Sequence, residues 1–256
     1  MIVNKLREKM QNKEKVYGTF SHLGSGVTIE CLGLTGLDFV VIDTEHAPYS
    51  VQDTLDFIRA AEVRGITPIV RVQDHSRPSL HKMLNCGAKA LIIPCMETVE
   101  EVRLLVEQGK FYPKGRHCFP YSRNSNWGNE SAGRLTEFFD ENNEGTLLVP
   151  QCETVGFLNN IEEIMNIDGI DGVFVGPWDL TTDMGIPEMF THPDFLAARK
   201  RILKACHDAG KFAWIFSPSS QAAKKNIDDG FDGAAISMDT VVFMNAYKNI
   251  LEEVKS

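Results

Sequence analysis

Eight short apolar runs alternate with helical stretches along almost the whole chain, and this alternation limits the fold more than any other feature. The runs are rich in β-branched residues and nearly continuous in apolar side chains, as expected for parallel strands that are buried on both faces. The predicted strands are Val16–Leu23, Phe39–Glu45, Thr67–Val72, Ala90–Cys95, Thr146–Glu153, Gly172–Leu180, Lys211–Ser217 and Gly233–Asp239.

The stretches between these runs carry the apolar period of amphipathic helices. Val51–Glu62, for example, places Leu55, Ile58 and Ala61 on one helical face. Strand–helix units repeated eight times in 256 residues predict an α/β protein, a single (β/α)8 TIM barrel over residues 1–256. An open, doubly wound sheet is the alternative, but no glycine-rich dinucleotide turn follows the first strand.

The net charge of −9 and the lack of a Lys/Arg cluster argue against nucleic acid or an anionic membrane as a partner. No two of the six cysteines have Cys-x-x-Cys spacing, and most lie in apolar segments, so we expect buried, reduced thiols and a cytoplasmic location. The stretch Met1–Lys15 is charged and does not resemble a signal peptide. No apolar run approaches the roughly 18 residues of a membrane span.

One connection is unusually long. Residues 111–145 separate the fourth helix from the fifth strand and contain several aromatic residues and Arg123. Connections of this length are usually functional or disordered. We expect an ordered cover near the active site or a subunit contact; a solvated insertion with a short helix at Arg134–Glu141 is the alternative.

Polar residues stand at the predicted C-terminal ends of the strands, where barrel enzymes have their active sites. They include His22, the run from Asp43 to His46, Arg71, Gln151, Glu153, Asp179 and Asp239. Glu153 and Asp179 lie on neighbouring strands, and two carboxylates with substrate and water oxygens are typical ligands of Mg²⁺. The alternative is that each carboxylate caps a helix or pairs with Arg71.

His46 and Arg71 are the candidate catalytic groups at this rim. An unperturbed imidazole suits proton transfer near neutral pH. Arg71 interrupts an apolar strand and needs an anion, which is either an enolate oxygen or Glu45. Because no lysine stands at a strand's C-terminal end, the sequence argues against a Schiff-base aldolase.

Five motifs in chain order resemble the HpcH/HpaI aldolase family, the class II pyruvate aldolases of the phosphoenolpyruvate/pyruvate barrel superfamily, and the resemblance covers nearly the whole chain. The motifs are Asp43-Thr44-Glu45-His46-Ala47-Pro48, Val70-Arg71, Tyr112-Pro113-Lys114-Gly115-Arg116, Gln151-Cys152-Glu153-Thr154 and Gly172-Val173-Phe174-Val175-Gly176-Pro177-Trp178-Asp179-Leu180.

The resemblance implies a metal-dependent aldolase that cleaves or forms 4-hydroxy-2-oxo acids through a pyruvate enolate. Glu153 and Asp179 would bind the divalent metal, which is Mg, Mn or Co. Arg71 would stabilise the enolate, and His46 would take the hydroxyl proton through a water. The substrate would contact Gln151 and the segment Gly176, Pro177, Trp178 and Asp179. Members are typically hexamers built from dimers that exchange the last helix. The apolar stretch Val241–Val254 could play that part, although an ordinary eighth helix would look the same.

Two positions depart from the family pattern. Asn85 stands where the family usually has an aspartate that orients the histidine, and Trp178 replaces a small residue. Two alternatives to the aldolase therefore stay open: an oxaloacetate decarboxylase or another pyruvate-forming lyase, and a barrel that binds an oxo acid without turning it over.

Overall fold

The computed structural model describes residues 4–129, 131 and 133–256, and in it eight parallel strands form a closed barrel. Each strand pairs with its neighbours in chain order, and the first strand pairs with the last to close the ring. The strands are β1 (Val16–Ser21), β2 (Phe39–Asp43), β3 (Thr67–Arg71), β4 (Ala90–Ile93), β5 (Leu147–Cys152), β6 (Gly172–Val175), β7 (Phe212–Ser217) and β8 (Gly233–Met238). The predicted (β/α)8 barrel is confirmed.

Helices surround this barrel and alternate with its strands. Some begin at capping boxes, as at Ser50 and Thr98, where the cap side chain accepts from a helix N–H. The helices of the described residues are α1 (Lys5–Gln11), α2 (Gly26–Gly33), α3 (Val51–Arg64), α4 (Arg77–Cys86), α5 (Val99–Gly109), the 3-10 helix Arg123–Gly128, α6 (Leu135–Gly145), α7 (Val155–Asn159), α8 (Ile161–Met165), α9 (Pro177–Asp183), α10 (Pro193–Asp208), α11 (Ser220–Asp228) and α12 (Asp239–Lys255).

Seven of the eight strands end earlier than the sequence predicted, by one to five residues, and β7 ends as predicted. Two of the early ends change where site residues lie. β6 stops at Val175, not Leu180, because Pro177 occupies the first turn of α9, where its fixed φ and missing N–H are tolerated. β2 stops at Asp43, not Glu45, and the next residues form a turn. Asp179 therefore lies in a helix, and Glu45 lies in a turn.

The core has two layers because strand side chains alternate between the two faces of the sheet. On β2, Phe39 and Val41 point into the barrel, whereas Val40 and Ile42 face the helices. Large rings fill the N-terminal end of the barrel, where Trp214 stacks on Phe39 with ring centroids 5.5 Å apart. Gly18 makes room for Phe39, since a Cβ there would lie 2.2 Å from its ring.

In its described part, residues 111–129, 131 and 133–145, the long connection contributes no residue to the opening at the strand C-terminal ends. Arg123 pairs with Glu62 and donates to the Cys86 carbonyl at 3.2 Å, and both partners lie in the last turns of their helices, at the opposite end of the barrel. The prediction of a cover is therefore wrong for a single chain. Tyr121 and Trp127 are 79% and 63% exposed, so a subunit contact stays a prediction.

The last helix stands away from the barrel. Every residue from Val241 to Ser256 is exposed, and within α12 only Asp239 is buried. An ordinary eighth helix would bury one face against the strands, and α12 does not do so.

The cysteines depart in part from the expectation. Cys31, Cys95 and Cys118 are exposed, whereas Cys86, Cys152 and Cys206 are buried, and all six are free thiols. Across residues 4–129, 131 and 133–256, no helix has the length and apolar character needed to cross a membrane.

Candidate active site

A cavity of about 410 Å³ opens at the C-terminal ends of the strands. It is lined by Phe20, His46, Arg71, Gln151, Phe174, Gly176, Pro177, Trp178, Asp179, Phe216, Pro218, Ser237, Met238 and Val241. A larger cavity of about 750 Å³ lies at the other end, against α1 and the strand starts. Barrel enzymes do their chemistry at the C-terminal end, so the smaller cavity is the candidate active site.

Asp43 joins three strand ends into one hydrogen-bonded network. Arg71 on β3 donates to it from Nε at 2.8 Å and from Nη2 at 2.6 Å, which is a bidentate pair. His22, just after β1, lies with Nε2 2.7 Å from Asp43 Oδ2, the oxygen that also accepts from Arg71 Nη2. Asp43 is fully buried, and Arg71 is only 6% exposed. This network holds the guanidinium in one orientation.

The network also keeps Asp43 charged. Burial by itself would raise the pKa of this carboxyl, but the hydrogen bonds from His22 and Arg71 outweigh burial and hold the pKa well below its usual range. The ionised Asp43 carboxylate offsets the positive charge of the buried Arg71 guanidinium. The remaining Arg71 nitrogen, Nη1, lies 3.1 Å from Glu45 Oε2.

Glu45 also lies beside His46, with Oε2 3.7 Å from the imidazole Nε2. Neighbouring residues on a strand face opposite ways, so this pair exists only because β2 has already ended. The side chain of His46 is 61% exposed at the mouth of the cavity, and that of Glu45 is 16% exposed. Burial raises the pKa of the Glu45 carboxyl against the opposing charges of Arg71 and His46.

Glu153 follows β5 and is 5% exposed. Its Oε1 accepts the backbone N–H of Cys95 at 2.6 Å, and its Oε2 accepts a hydrogen bond from the Gln151 amide. The pKa of Glu153 is raised to about 7, mainly by burial and also by the nearby carboxylates of Asp179 and Glu45, against the Cys95 N–H. A cation at this point would relieve the repulsion among the carboxylates.

The backbone at the end of β6 approaches Glu153 closely. A Cβ on Gly176 would lie 2.9 Å from Gln151 Nε2 and 3.0 Å from Glu153 Oε2, so glycine is required there. Pro177 then starts α9 and brings Asp179 into its first turn, exposed to the cavity. The predicted substrate-binding residues therefore lie together at one rim.

These residues fit a divalent cation held by a few protein ligands. The Oε1 atom of Gln151 is buried without a hydrogen-bond partner, and Glu153 is a buried carboxyl with two acidic neighbours. Within the described part of the chain, no group of three His, Cys, Asp or Glu side chains is arranged as a complete metal site. Two carboxylates with substrate and water oxygens is the arrangement that Mg²⁺ commonly has.

Asn85 is the one predicted site residue that the chain keeps apart from the others. It lies in the last turn of α4, and a helix that follows a strand returns to the N-terminal end of the barrel. Its Oδ1 is buried without a hydrogen-bond partner. The expected contact with His46 is not made within one chain, because α4 runs back towards the N-terminal end of the barrel while His46 lies at the C-terminal end.

The sequence predicts no role for two residues of this network, Asp43 and His22. Both appear there only as polar residues at strand ends, and the anion predicted for Arg71 is an enolate oxygen or Glu45, not Asp43. The adjacency of β1, β2 and β3 was the signal that could have grouped them, because parallel neighbours end at the same rim.

Comparison with known proteins agrees with this geometry. The sequence pattern of the HpcH/HpaI aldolase/citrate lyase family matches residues 17–246. The solved structure of an HpcH/HpaI aldolase/citrate lyase family protein from Burkholderia cenocepacia J2315 superposes with a TM-score of 0.90 at 29% identity, and covers 99% of this chain and 100% of that one.

Two relatives align over nearly their full lengths. A hydroxypyruvate/pyruvate aldolase of Roseobacter denitrificans is 30% identical over 259 residues, which are 99% of this chain and 98% of that protein. A 2-keto-3-deoxy-L-rhamnonate aldolase of Escherichia coli strain K12 is 28% identical over 258 residues, which are 100% of this chain and 95% of the relative. The chain therefore belongs to the HpcH/HpaI aldolase/citrate lyase family.

Proposed function

We propose that this chain is a divalent-metal-dependent pyruvate aldolase that cleaves or forms 4-hydroxy-2-oxo acids. The observation that carries the proposal is the buried Arg71, fixed by Asp43, at the same rim as the carboxylates of Glu153 and Asp179. The names of the relatives, aldolases for pyruvate and for a 2-keto acid, support the same reaction class.

Glu153 and Asp179 would hold the cation, which is Mg, Mn or Co. When bound, the cation supplies Lewis-acid stabilisation of the negative charge that develops on the keto oxygen. Gln151 and the Cys95 N–H keep the Glu153 carboxylate in place. The lack of a side chain at Gly176 lets the Gln151 amide and the Glu153 carboxylate lie against the backbone at the end of β6.

Arg71 adds a second source of positive charge at the developing enolate. A donor that is already oriented stabilises a transition state without reorganising during the reaction. Asp43 provides that orientation by holding two guanidinium nitrogens. It leaves Nη1, which lies beside Glu45, as the nitrogen that is free of Asp43.

His46 is the proposed base for cleavage. It takes the proton of the 4-hydroxyl group through a water, the C3–C4 bond breaks, and the bonding pair becomes the enolate of pyruvate while the aldehyde leaves. Protonation at C3 then gives pyruvate. Glu45, 3.7 Å from the ring, is the carboxylate of the same chain that would orient the histidine.

Oxaloacetate decarboxylation is the second candidate. It passes through the same enolate but needs no base at the position of His46. The exposure of His46 and its long contact with Glu45 favour this candidate, because decarboxylation does not depend on a well-oriented base there. A barrel that binds an oxo acid without turnover stays the third alternative.

The subunit arrangement and location are proposals as well. The exposed apolar residues of α12 support a homo-oligomer, a hexamer built as a trimer of dimers. Asn85 acts on His46 only if a neighbouring subunit supplies it, and a faster retro-aldol reaction in Asn85→Asp would reveal such a contribution. The free thiols support a cytoplasmic location.

A panel of 4-hydroxy-2-oxo acids tests the function. Pyruvate release is followed with lactate dehydrogenase, and oxaloacetate is assayed in parallel. We expect activity to disappear after chelation and to return with Mg²⁺, Mn²⁺ or Co²⁺. Full activity in metal-free protein, or in the double variant Glu153→Gln with Asp179→Asn, would exclude a metal-dependent aldolase.

A further inference from the structure

The cavity at the strand C-terminal ends has two unlike sides. Its polar lining comes from the ends of β2, β3, β5 and the start of α9, which carry His46, Arg71, Gln151 and Asp179. The other side comes from the ends of β1, β7 and β8, and it is apolar except for Ser237. The apolar lining residues on that side are Phe20, Phe216, Pro218, Met238 and Val241.

The apolar side is a packed aromatic surface and not a set of separate side chains. Phe216 lies between Phe20 and Trp178, with ring centroids 5.7 Å and 5.5 Å away. Phe190 supports Trp178 from behind at 4.7 Å, and Phe174 contacts Phe20 at 5.8 Å. Such edge-to-face contacts restrict rotation of the rings, so this surface stays apolar.

The polar side is already committed to the pyruvate half of the substrate under the proposed function. The aldehyde carbon must lie near His46, and its substituent then extends towards β1, β8 and β7. There it meets the apolar surface formed by Phe20, Phe216, Trp178, Met238 and Val241. A polyhydroxylated substituent would lose its hydrogen bonds to water there, and among the lining side chains on that side the Ser237 hydroxyl and the Trp178 indole N–H could replace only some of them.

We propose that the preferred acceptor is an aldehyde with an apolar alkyl substituent, so that the product is a 4-hydroxy-2-oxo acid with an alkyl group at C4. This inference rests on the proposed aldolase function. It differs from the sugar-acid chemistry in the name of the 28% identical rhamnonate aldolase. Burial of each methylene should raise the specificity for the aldehyde about fourfold.

Matched aldehydes test the proposal with the metal-loaded enzyme and pyruvate. Propanal and glycolaldehyde have the same number of heavy atoms, and so do pentanal and glyceraldehyde. We expect kcat/KM for adduct formation to rise about fourfold per methylene from acetaldehyde to butanal. We expect pentanal to exceed glyceraldehyde by about tenfold or more.

Two variants connect this preference to the surface. Phe216→Asn and the nearly isosteric Met238→Gln should each lower the pentanal-to-glyceraldehyde ratio by about tenfold. Leu34→Asn is the control, because Leu34 is 71% exposed and outside the cavity. Leu34→Asn should keep the wild-type ratio. Comparing the ratio of each variant with that of the wild type cancels differences in the intrinsic reactivity of the aldehydes.

Deuterium exchange at C3 of pyruvate, measured by NMR without any aldehyde, tests the aldolase function separately from the acceptor preference. Exchange together with a preference for glyceraldehyde, or with ratios that neither variant alters, would overturn the apolar-acceptor proposal and leave the aldolase function standing. Absence of both exchange and adducts would overturn the proposed function, and the acceptor proposal with it.

Discussion

Arg71 shows how one residue depends on the shape of its side chain as well as on its charge. Its planar fork binds Asp43 through two nitrogens, and its third nitrogen lies beside Glu45. An ammonium group is a point charge on a flexible stem and cannot reproduce this geometry. Charge stabilisation by Arg71 therefore depends on the orientation of its guanidinium as well as on its charge.

Arg71→Lys should lower kcat by about 10²-fold or more, the scale of losing one preorganised oxyanion donor. The measurement is kcat and KM for pyruvate release. Arg64→Lys serves as the control, since Arg64 is partly exposed and pairs with Glu30 on the outside of the barrel. A change confined to KM would show that Arg71 only binds substrate.

Glu45→Gln should lower the retro-aldol kcat by about tenfold, a fraction of the 10²- to 10⁴-fold contribution of a general base. The amide keeps the size of the side chain but removes the carboxylate charge that lies 3.7 Å from His46. Oxaloacetate decarboxylation in the same variant should fall much less, because that reaction needs no such base. Equal losses in both reactions would assign Glu45 to Arg71 or the metal site instead.

At the scale of elements, α5 is tied to the long connection by one carbonyl. The Gln108 oxygen lies 3.1 Å from His81 Nε2 and 3.1 Å from His117 Nδ1, and the two rings are 4.2 Å apart. The pKa of His117 is lowered to about 4, mainly by burial and also by the charges of His81 and Arg77, against the hydrogen bond to Gln108. His117 is therefore neutral in the folded protein at neutral pH.

This arrangement predicts a loss of stability in mild acid. The pKa of His117 lies below its unfolded value of about 6.5, so the unfolded chain binds the proton more readily. The stabilisation is complete above about pH 6.5 and falls as the pH decreases towards 4. Between pH 7 and pH 5, urea unfolding should show the wild type losing about 1 to 2 kcal/mol more than His117→Asn. Parallel pH dependence in both proteins would contradict this assignment.

At the scale of the molecule, α12 is the feature that a single barrel leaves without a partner. Its residues Val242, Phe243, Tyr247 and Leu251 are between 51% and 57% exposed. Monomeric proteins rarely expose a continuous apolar surface of this kind. We therefore predict that the helix lies in a contact between subunits.

Light scattering after gel filtration should show a mass that is a multiple of 28.6 kDa for the wild type. Phe243→Glu with Leu251→Glu should shift the protein to smaller species, because each charge would be buried without a counter-ion. Val63→Glu, at a 71% exposed position on α3, is the control. A wild-type protein that is monomeric at micromolar concentration would refute the subunit contact.

The sequence by itself determined the barrel and the rim. The strand–helix alternation is a local signal, since hydrophobic period and turn residues are read within about a dozen positions. The rule that strands of a barrel end at one rim then located His46, Arg71, Gln151 and Glu153 without coordinates. Tyr112-Pro113 and the other motifs are local signals too, and they indicated the family.

Only the tertiary structure decided which of these residues touch. The bidentate contact between Asp43 and Arg71 joins residues 28 positions apart, and it depends on the register of β2 and β3. The pairing of Glu45 with His46 depends on where β2 ends, and the separation of Asn85 from His46 depends on the direction in which α4 returns. Side-chain contact is a property of register, direction and depth, and a linear pattern of apolar and polar residues carries none of these three.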